Sequence, residues 1–192
     1  SSAVCSSDLS APRYTERKSP KMSLPQTPRP TVPVSYVWLM IRLAEERGVS
    51  PQRLLAGLKV SPAQLESPDG RIGLLDDYAT LCQRALDWTA EPGLGYEFGL
   101  RATLTTHGIL GYGLMSQPTL ADVLGFAARY GAILRMPAWD MRFGLDSHWA
   151  WMQATESISH GTLRRFSAEQ LLVSALSMVR QLPPAQIGRA HV

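Results

Sequence analysis

The side chains that most often carry chemistry are sparse in this sequence and form no recognisable catalytic set. It contains neither the Gly-x-Ser-x-Gly turn that exposes a nucleophile nor the Gly-x-x-x-x-Gly-Lys-Ser/Thr loop that binds phosphate. His107, His148 and His160 are not spaced with other ligands as in a zinc site. Cys82 falls on an apolar helix face, as expected for a small buried side chain. We therefore predict no catalytic residue, no metal, no cofactor and a function other than catalysis.

Four side chains are candidates for contacting a small molecule. His107 opens a glycine-rich apolar stretch, and Tyr112 within that stretch offers a phenol. Trp139 and Trp151 lie in neighbouring segments of alternating apolar residues, and aromatic side chains commonly line ligand pockets. Packing in the core is the alternative for each of the four, and the sequence leaves it open.

The net charge of +3 over 192 residues suggests a nucleic-acid partner until the charges are placed along the chain. Residues 1–33 hold five basic and two acidic side chains, and Arg189 lies near the other end. The body, residues 34–186, holds 13 basic and 14 acidic side chains, so we predict no DNA-binding surface in it. No apolar run reaches the length of about 18 residues that a membrane span needs, so we also expect no membrane contact.

Both ends of the chain differ in character from the body. Residues 1–33 hold six of the 14 prolines, a composition typical of a disordered tail. The last six residues can be encoded by a short DNA segment whose complementary strand encodes Val-Cys-Ser-Ser-Asp, the sequence of residues 4–8. We interpret residues 1–9 and 187–192 as translated adapter DNA, and we expect the domain at 34–186 to be incomplete at its C-terminus. Without Cys5, Cys82 can form no intrachain disulfide, which fits a reducing cytoplasm.

Hydrophobic periodicity predicts an α+β fold that is predominantly helical. Ser-Pro pairs at Pro51 and Pro62 predict the starts of two short helices, and residues 107–116 predict a tightly packed helix or pair of turns. Alternation at 139–145 and from Trp149 onward predicts a β-hairpin, which needs further strands or a helix beside it. Longer helices are predicted over 35–47, 75–86, 94–104, 120–134 and 163–182.

Three of these helices have a predicted apolar face, which in the helix at 120–134 comprises Leu120, Val123, Leu124, Ala127, Gly131 and Leu134. For the helix at 75–86 the face comprises Leu75, Tyr78, Ala79, Cys82 and Leu86. For the last helix it comprises Ala168, Leu172, Ala175, Leu176 and Val179. In the helix at 94–104, Gly95 and Gly99 would let a neighbouring element approach closely.

The run from His107 to Leu120, HGILGYGLMSQPTL, is the most specific motif of the chain. It resembles the G-x-L-G-Y-x-x-x-S-x-P-T-L signature of the N-terminal "arabinose-binding" domain in one branch of AraC-type transcriptional regulators. Upstream residues keep the same register, including Gly48-Val49-Ser50-Pro51, Asp69-Gly70-Arg71-Ile72 and Pro92-Gly93-Leu94-Gly95. The resemblance extends from about residue 34 to residue 182.

The resemblance implies a bacterial regulator whose N-terminal domain senses a small-molecule effector or mediates homodimerisation. DNA would be bound only through a C-terminal domain with two helix-turn-helix units, which is missing here. The domain would belong to a larger, incomplete α/β sensory domain. The arabinose label does not identify the effector. A stand-alone interaction or small-molecule-binding domain is the alternative, and an enzyme is the less favoured one because no convergent catalytic groups are visible.

Overall fold

The structure, a computed structural model, describes residues 30–134, 138–145 and 149–184, except for the side chains of residues 132–134. Helices and two small antiparallel sheets make up these ranges, so the predicted α+β, predominantly helical class is confirmed. The α-helices are α1 (Val34–Glu45), α2 (Pro51–Leu55), α3 (Pro62–Glu66), α4 (Ala79–Thr89), α5 (Leu94–Arg101), α6 (Ile109–Met115), α7 (Leu120–Leu134) and α8 (Arg164–Arg180). The strands are β1 (Thr31–Pro33), β2 (Arg71–Gly73), β3 (Trp139–Leu145) and β4 (Ala150–Glu156).

Strand β1 pairs antiparallel with β2, and Val32 lies opposite Ile72. The side chain of Val32 is fully buried, and the Arg71 guanidinium donates to the backbone carbonyl of Thr31 at 2.8 Å. The prediction of a disordered tail over residues 1–33 is therefore wrong for the last three of them. The composition of residues 1–33 gives no sign of this pairing, because the partner strand β2 lies about 40 residues further along the chain.

Helix α1 forms the centre of the larger core. Its buried Tyr36 packs edge-on against Phe98 of α5, with ring centroids 5.3 Å apart, and also contacts the ring of Tyr78. The short helices α2 and α3 begin where their Ser-Pro pairs predict. The Ser61 side chain accepts a hydrogen bond from the backbone of Gln64, whose side chain in turn accepts one from the backbone of Ser61. These caps satisfy backbone groups that the short helices leave without intrahelical partners.

The helix predicted at 75–86 begins differently. A π-helical turn at Leu74–Tyr78 precedes α4, and its wider turn alters the phase of the apolar residues. Tyr78 and Cys82 are buried as predicted, but the side chain of Leu75 is half exposed. The prediction that Leu75 shares the buried face is wrong, because it assumed 3.6 residues per turn throughout.

Helix α8 packs along α5 through the small residues of α5. A Cβ atom added at Gly95 would lie 2.4 Å from the carbonyl oxygen of Phe166, and one added at Gly99 would lie 2.5 Å from Cβ of Val173. The predicted close approach of a neighbour to these glycines is therefore confirmed.

The face of α8 that the core buries differs from the predicted one. Leu172 and Leu176 are each half exposed, whereas Leu171, Ser174 and Met178 are buried. The prediction assigned to the core the face of α8 that has the most apolar residues. The core instead buries the adjacent face, which includes polar side chains such as Ser174. An apolar row of α8 therefore remains partly uncovered.

The predicted β-hairpin is confirmed. Strands β3 and β4 pair over seven residues each, from Trp139 opposite Glu156 to Leu145 opposite Ala150. Helix α7 packs against β3, and α6 packs against α7 around a second, smaller core. None of the described helices is long and apolar enough to cross a membrane.

A candidate ligand-binding groove

An open groove of about 310 Å³ lies between α7, the β3–β4 hairpin and α8. Its inner end is formed by Leu104, Leu110 and Leu114, which belong to the smaller core. Every described residue that lines it is apolar. The other lining residues are Val123, Leu124, Ala127, Gly131, Met141, Phe143, Ala150, Trp151, Met152, Leu172, Ala175, Leu176, Met178, Val179 and Leu182.

The hairpin places Trp151 at the groove by pairing it with a glycine. Gly144 is the direct partner of Trp151 on β3, and a Cβ atom at Gly144 would lie 2.2 Å from Cε2 of the indole ring. The missing side chain of Gly144 thus leaves the space in which the indole lies across the neighbouring strand. Trp151 remains 50% exposed, so its ring is available to a molecule in the groove.

Helix α8 supplies the opposite wall. Leu172, Leu176 and Val179 recur at helical spacing and line the groove, and the first two are about half exposed. Contiguous exposed apolar surface of this kind typically marks an interaction site. The sequence showed these residues as an apolar stripe but not their exposure, because exposure depends on which row of α8 the core buries.

The two tryptophans predicted to contact a ligand lie in different surroundings. Trp151 lines the groove, whereas Trp139 is buried at the other end of the hairpin. The Trp139 indole donates a hydrogen bond to Oγ of Ser167 at 2.8 Å and stacks on His160, with ring centroids 4.9 Å apart. The structure therefore does not bring the two tryptophans together at one cavity.

His107 and Tyr112 also lie apart from the groove. Only 1% of the His107 side chain is exposed, and its Nδ1 is hydrogen-bonded to the Tyr36 hydroxyl at 2.8 Å. This pairing joins residues 71 positions apart and places His107 in the core. Tyr112 is 58% exposed on the surface of α6 and does not line the groove. Their role in ligand binding stays a prediction.

The described residues bring together no group of three or more His, Cys, Asp and Glu side chains that could hold a metal ion. Cys82 is fully buried, and this burial raises the pKa of its thiol, which keeps the thiol protonated at neutral pH. A protonated thiol is a poor nucleophile.

The architecture is that of a small α+β binding domain, and comparison with known proteins assigns its family. Residues 48–192 match the family described as "Arabinose-binding domain of AraC transcription regulator, N-term". The chain belongs to this family, and the resemblance inferred from the His107–Leu120 motif is confirmed.

Known relatives with similar sequences are transcriptional regulators. The chain is 36% identical over 147 residues to the "Ornithine utilization regulator" of Pseudomonas aeruginosa, a match that covers 77% of this chain and 43% of that protein. It is 35% identical over 104 residues to an "Uncharacterized HTH-type transcriptional regulator" of Mycobacterium tuberculosis, covering 54% of this chain and 30% of that protein. The chain thus spans less than half the length of these relatives.

Proposed function

We propose that this chain is the effector-sensing part of an AraC-type transcriptional regulator and that the groove binds the effector. The observation that carries the proposal is an exposed apolar groove whose walls come from three elements that follow one another along the chain, α7, the hairpin and α8. A molecule bound there contacts all three elements at once and stabilises one relative arrangement of them. The groove volume lies within the range of about 300–1,000 Å³ of small-molecule sites.

The lining of the groove selects the chemistry of the effector. A charged or hydroxyl-rich molecule would lose its hydrogen bonds to water without gaining partners from the apolar lining residues. An uncharged, mostly apolar molecule gains free energy from the burial of its own surface and of Trp151, Leu172 and Leu176. The effector is therefore a small apolar molecule.

In the whole regulator, effector binding would control DNA binding through a population shift. The effector has a higher affinity for one arrangement of α7, the hairpin and α8, and this difference in affinity biases the attached DNA-binding part. That part lies outside this chain, where the longer relatives extend beyond the match. Such a regulator acts in the bacterial cytoplasm and requires no catalytic step. Homodimerisation would be a second role of the domain.

The binding step is tested with Nile red, an uncharged apolar dye whose emission increases and shifts to the blue in apolar sites. Ala127 of α7 lines the groove, and the adjacent Ala128 is exposed on the same helix. Ala127→Phe fills the groove and is expected to weaken dye binding by about tenfold or more, corresponding to about 1.4 kcal/mol. Ala128→Phe is the matched control and should bind the dye like the unmodified chain.

Equal dye affinity in both variants would contradict binding in the groove. A second copy of the chain is the alternative occupant of the groove, and sedimentation of the dye-free chain tests for it. A dimer that dissociates in Ala127→Phe but not in Ala128→Phe would show that a second copy covers the groove.

The regulatory step is tested by replacing the matching segment of the Pseudomonas aeruginosa relative with residues 30–184 and measuring a reporter gene. Ala127→Phe should change reporter output relative to Ala128→Phe, and identical outputs would contradict a sensory role. If the chain were instead a stand-alone binding module, it would bind the dye without any effect on the reporter.

A further inference from the structure

A second cavity, of about 450 Å³, lies on the other side of α8 and shares no lining residue with the groove. Its walls are the π-helical turn with the start of α4, the loop before α8, and the first half of α8. The residues that line it are Leu74, Leu75, Tyr78, Ala79, Thr80, Cys82, Gln83, Ser159, His160, Gly161, Thr162, Leu163, Phe166, Ser167 and Gln170.

Hydrogen bonds between elements hold these walls in place. Gln170 of α8 donates to the Tyr78 hydroxyl at 2.6 Å, and the Thr162 hydroxyl donates to the side-chain carbonyl of Gln83 at 2.7 Å. Unlike the groove, this cavity combines apolar side chains with polar ones. None of the described lining residues is Asp, Glu, Lys or Arg.

His160 is the most tightly positioned polar side chain of the cavity. Its ring stacks on Trp139, and its Nδ1 lies 2.9 Å from Oε1 of Glu156. The same carboxylate oxygen accepts a hydrogen bond from the backbone N–H of His160, and the other accepts one from Nε of Arg164. Only 10% of the His160 side chain is exposed.

These contacts determine which ring nitrogen of His160 carries the hydrogen. The hydrogen bonds from His160 and from Arg164 lower the pKa of Glu156 to about 2, so the carboxyl is ionised at neutral pH and can only accept. Nδ1 must then be the donor, and in the neutral imidazole Nε2 is left as an acceptor. Nε2 is buried and has no hydrogen-bond partner within the described part of the chain. A buried acceptor of this kind is stabilised by any donor that reaches it.

We propose that this cavity is a second binding site, which takes a small uncharged molecule with an apolar body and an amide N–H or hydroxyl donor for Nε2 of His160. An anion would find no cationic side chain among the described lining residues, and the nearby Arg164 is already bonded to Glu156. A purely apolar molecule would leave Nε2 and the polar wall unpaired. The site is distinct from the groove in position and in ligand chemistry, and it does not depend on the function proposed for the groove.

The site is tested with benzamide and benzoate, which have almost the same shape but differ in charge and in the N–H donor. Both are titrated into the ¹⁵N-labelled chain, and the indole N–H signal of Trp139, assigned by its loss in Trp139→Phe, reports binding because it donates to Ser167 of the cavity wall. Benzamide should produce a saturable shift and bind about tenfold more tightly than benzoate.

Two variants examine the position and the donor. His160→Asn retains an amide that can donate to Glu156 but places no acceptor at Nε2, and it should weaken benzamide binding by about tenfold. Ala79→Leu reduces the cavity volume and should also weaken binding, whereas Ala121→Leu, on the exposed surface of α7, should leave it unchanged.

Circular dichroism shows whether each variant is folded. If His160→Asn does not fold, Ala79→Leu alone decides the outcome. The absence of a saturable shift, equal affinity for benzoate, or unchanged affinity in both cavity variants would overturn the proposal.

Discussion

Individual residues of α5 set how closely α8 can pack. Gly95 and Gly99 leave room for the backbone of α8 around Phe166 and for the side chain of Val173. The sequence predicted a close neighbour at these glycines, because small residues inside a helix have no other evident use. It could not identify α8 as that neighbour, since the contact joins segments more than 70 residues apart, as does the pairing that places His107 against Tyr36.

Gly99→Ala should destabilise the domain in spite of the better helix propensity of alanine. The added Cβ would lie 2.5 Å from Cβ of Val173 and 2.8 Å from the backbone nitrogen of Ser174, so α8 must move. Overpacking of this kind costs about 1–3 kcal/mol. Urea unfolding followed by circular dichroism measures the difference in the free energy of unfolding.

Gly125→Ala is the matched control, because Gly125 lies in α7 and an added Cβ there meets nothing within 4 Å. This variant should stabilise the domain by about 0.5–1 kcal/mol through helix propensity. A Gly99→Ala variant as stable as Gly125→Ala would contradict the close packing of α5 on α8.

Elements were predictable where the signal is local. Alternation located the hairpin, Ser-Pro pairs located α2 and α3, and helical spacing located α7 and α8. The strand β1 and the buried row of α8 were not predicted, since both depend on partners distant in sequence. The candidate site follows the same division, because the aromatic pattern pointed to Trp151 but not to the half-exposed Leu172 and Leu176.

The junction between β4 and α8 is held by charge, which makes it sensitive to acid. Hydrogen bonds from the backbone and side chain of His160, then from Arg164, lower the pKa of Glu156 from its ordinary value of 4.5 to about 2. A lowered pKa means that the folded state favours the ionised carboxylate. The resulting stabilisation is complete above the unfolded-state value near 4.5 and is lost as the pH falls from there towards about 2.

Glu156→Gln should therefore flatten the dependence of stability on pH in the acid range. Urea midpoints measured stepwise down to about pH 3 should fall less steeply for this variant than for the unmodified chain. Glu169→Gln is the control on α8, where the partly buried carboxylate accepts a hydrogen bond from the exposed Arg165 one helical turn earlier. If the urea midpoints of Glu156→Gln and of the unmodified chain fell equally with pH, the ionised carboxylate of Glu156 would not stabilise this junction.

At the scale of the whole molecule, α8 connects the two cavities. Phe166, Ser167 and Gln170 face the polar cavity, whereas Leu172, Leu176 and Val179 face the apolar groove. A helix behaves as a nearly rigid rod, so a displacement at one end is transmitted along it. Because α8 also packs closely on α5, only a small set of positions is open to it.

Ligands in the two cavities should therefore bind cooperatively. Each ligand favours the position of α8 that its own cavity needs, and both cavities are formed with α8 in the same position in this structure. We expect saturating benzamide to tighten Nile red binding about 5-fold or more, a coupling free energy of about 1 kcal/mol. By linkage, Nile red must tighten benzamide binding by the same factor.

Fluorescence titrations of Nile red with and without benzamide measure this coupling, and the reverse NMR titration checks the reciprocity. Ala79→Leu should abolish the effect of benzamide on Nile red while leaving Nile red binding itself intact, because Ala79 lines only the polar cavity. If Nile red affinity were the same at zero and saturating benzamide, the two sites would be independent. Helix α8 would then serve as a fixed wall between them, and effector sensing would have to pass through α7 or the hairpin.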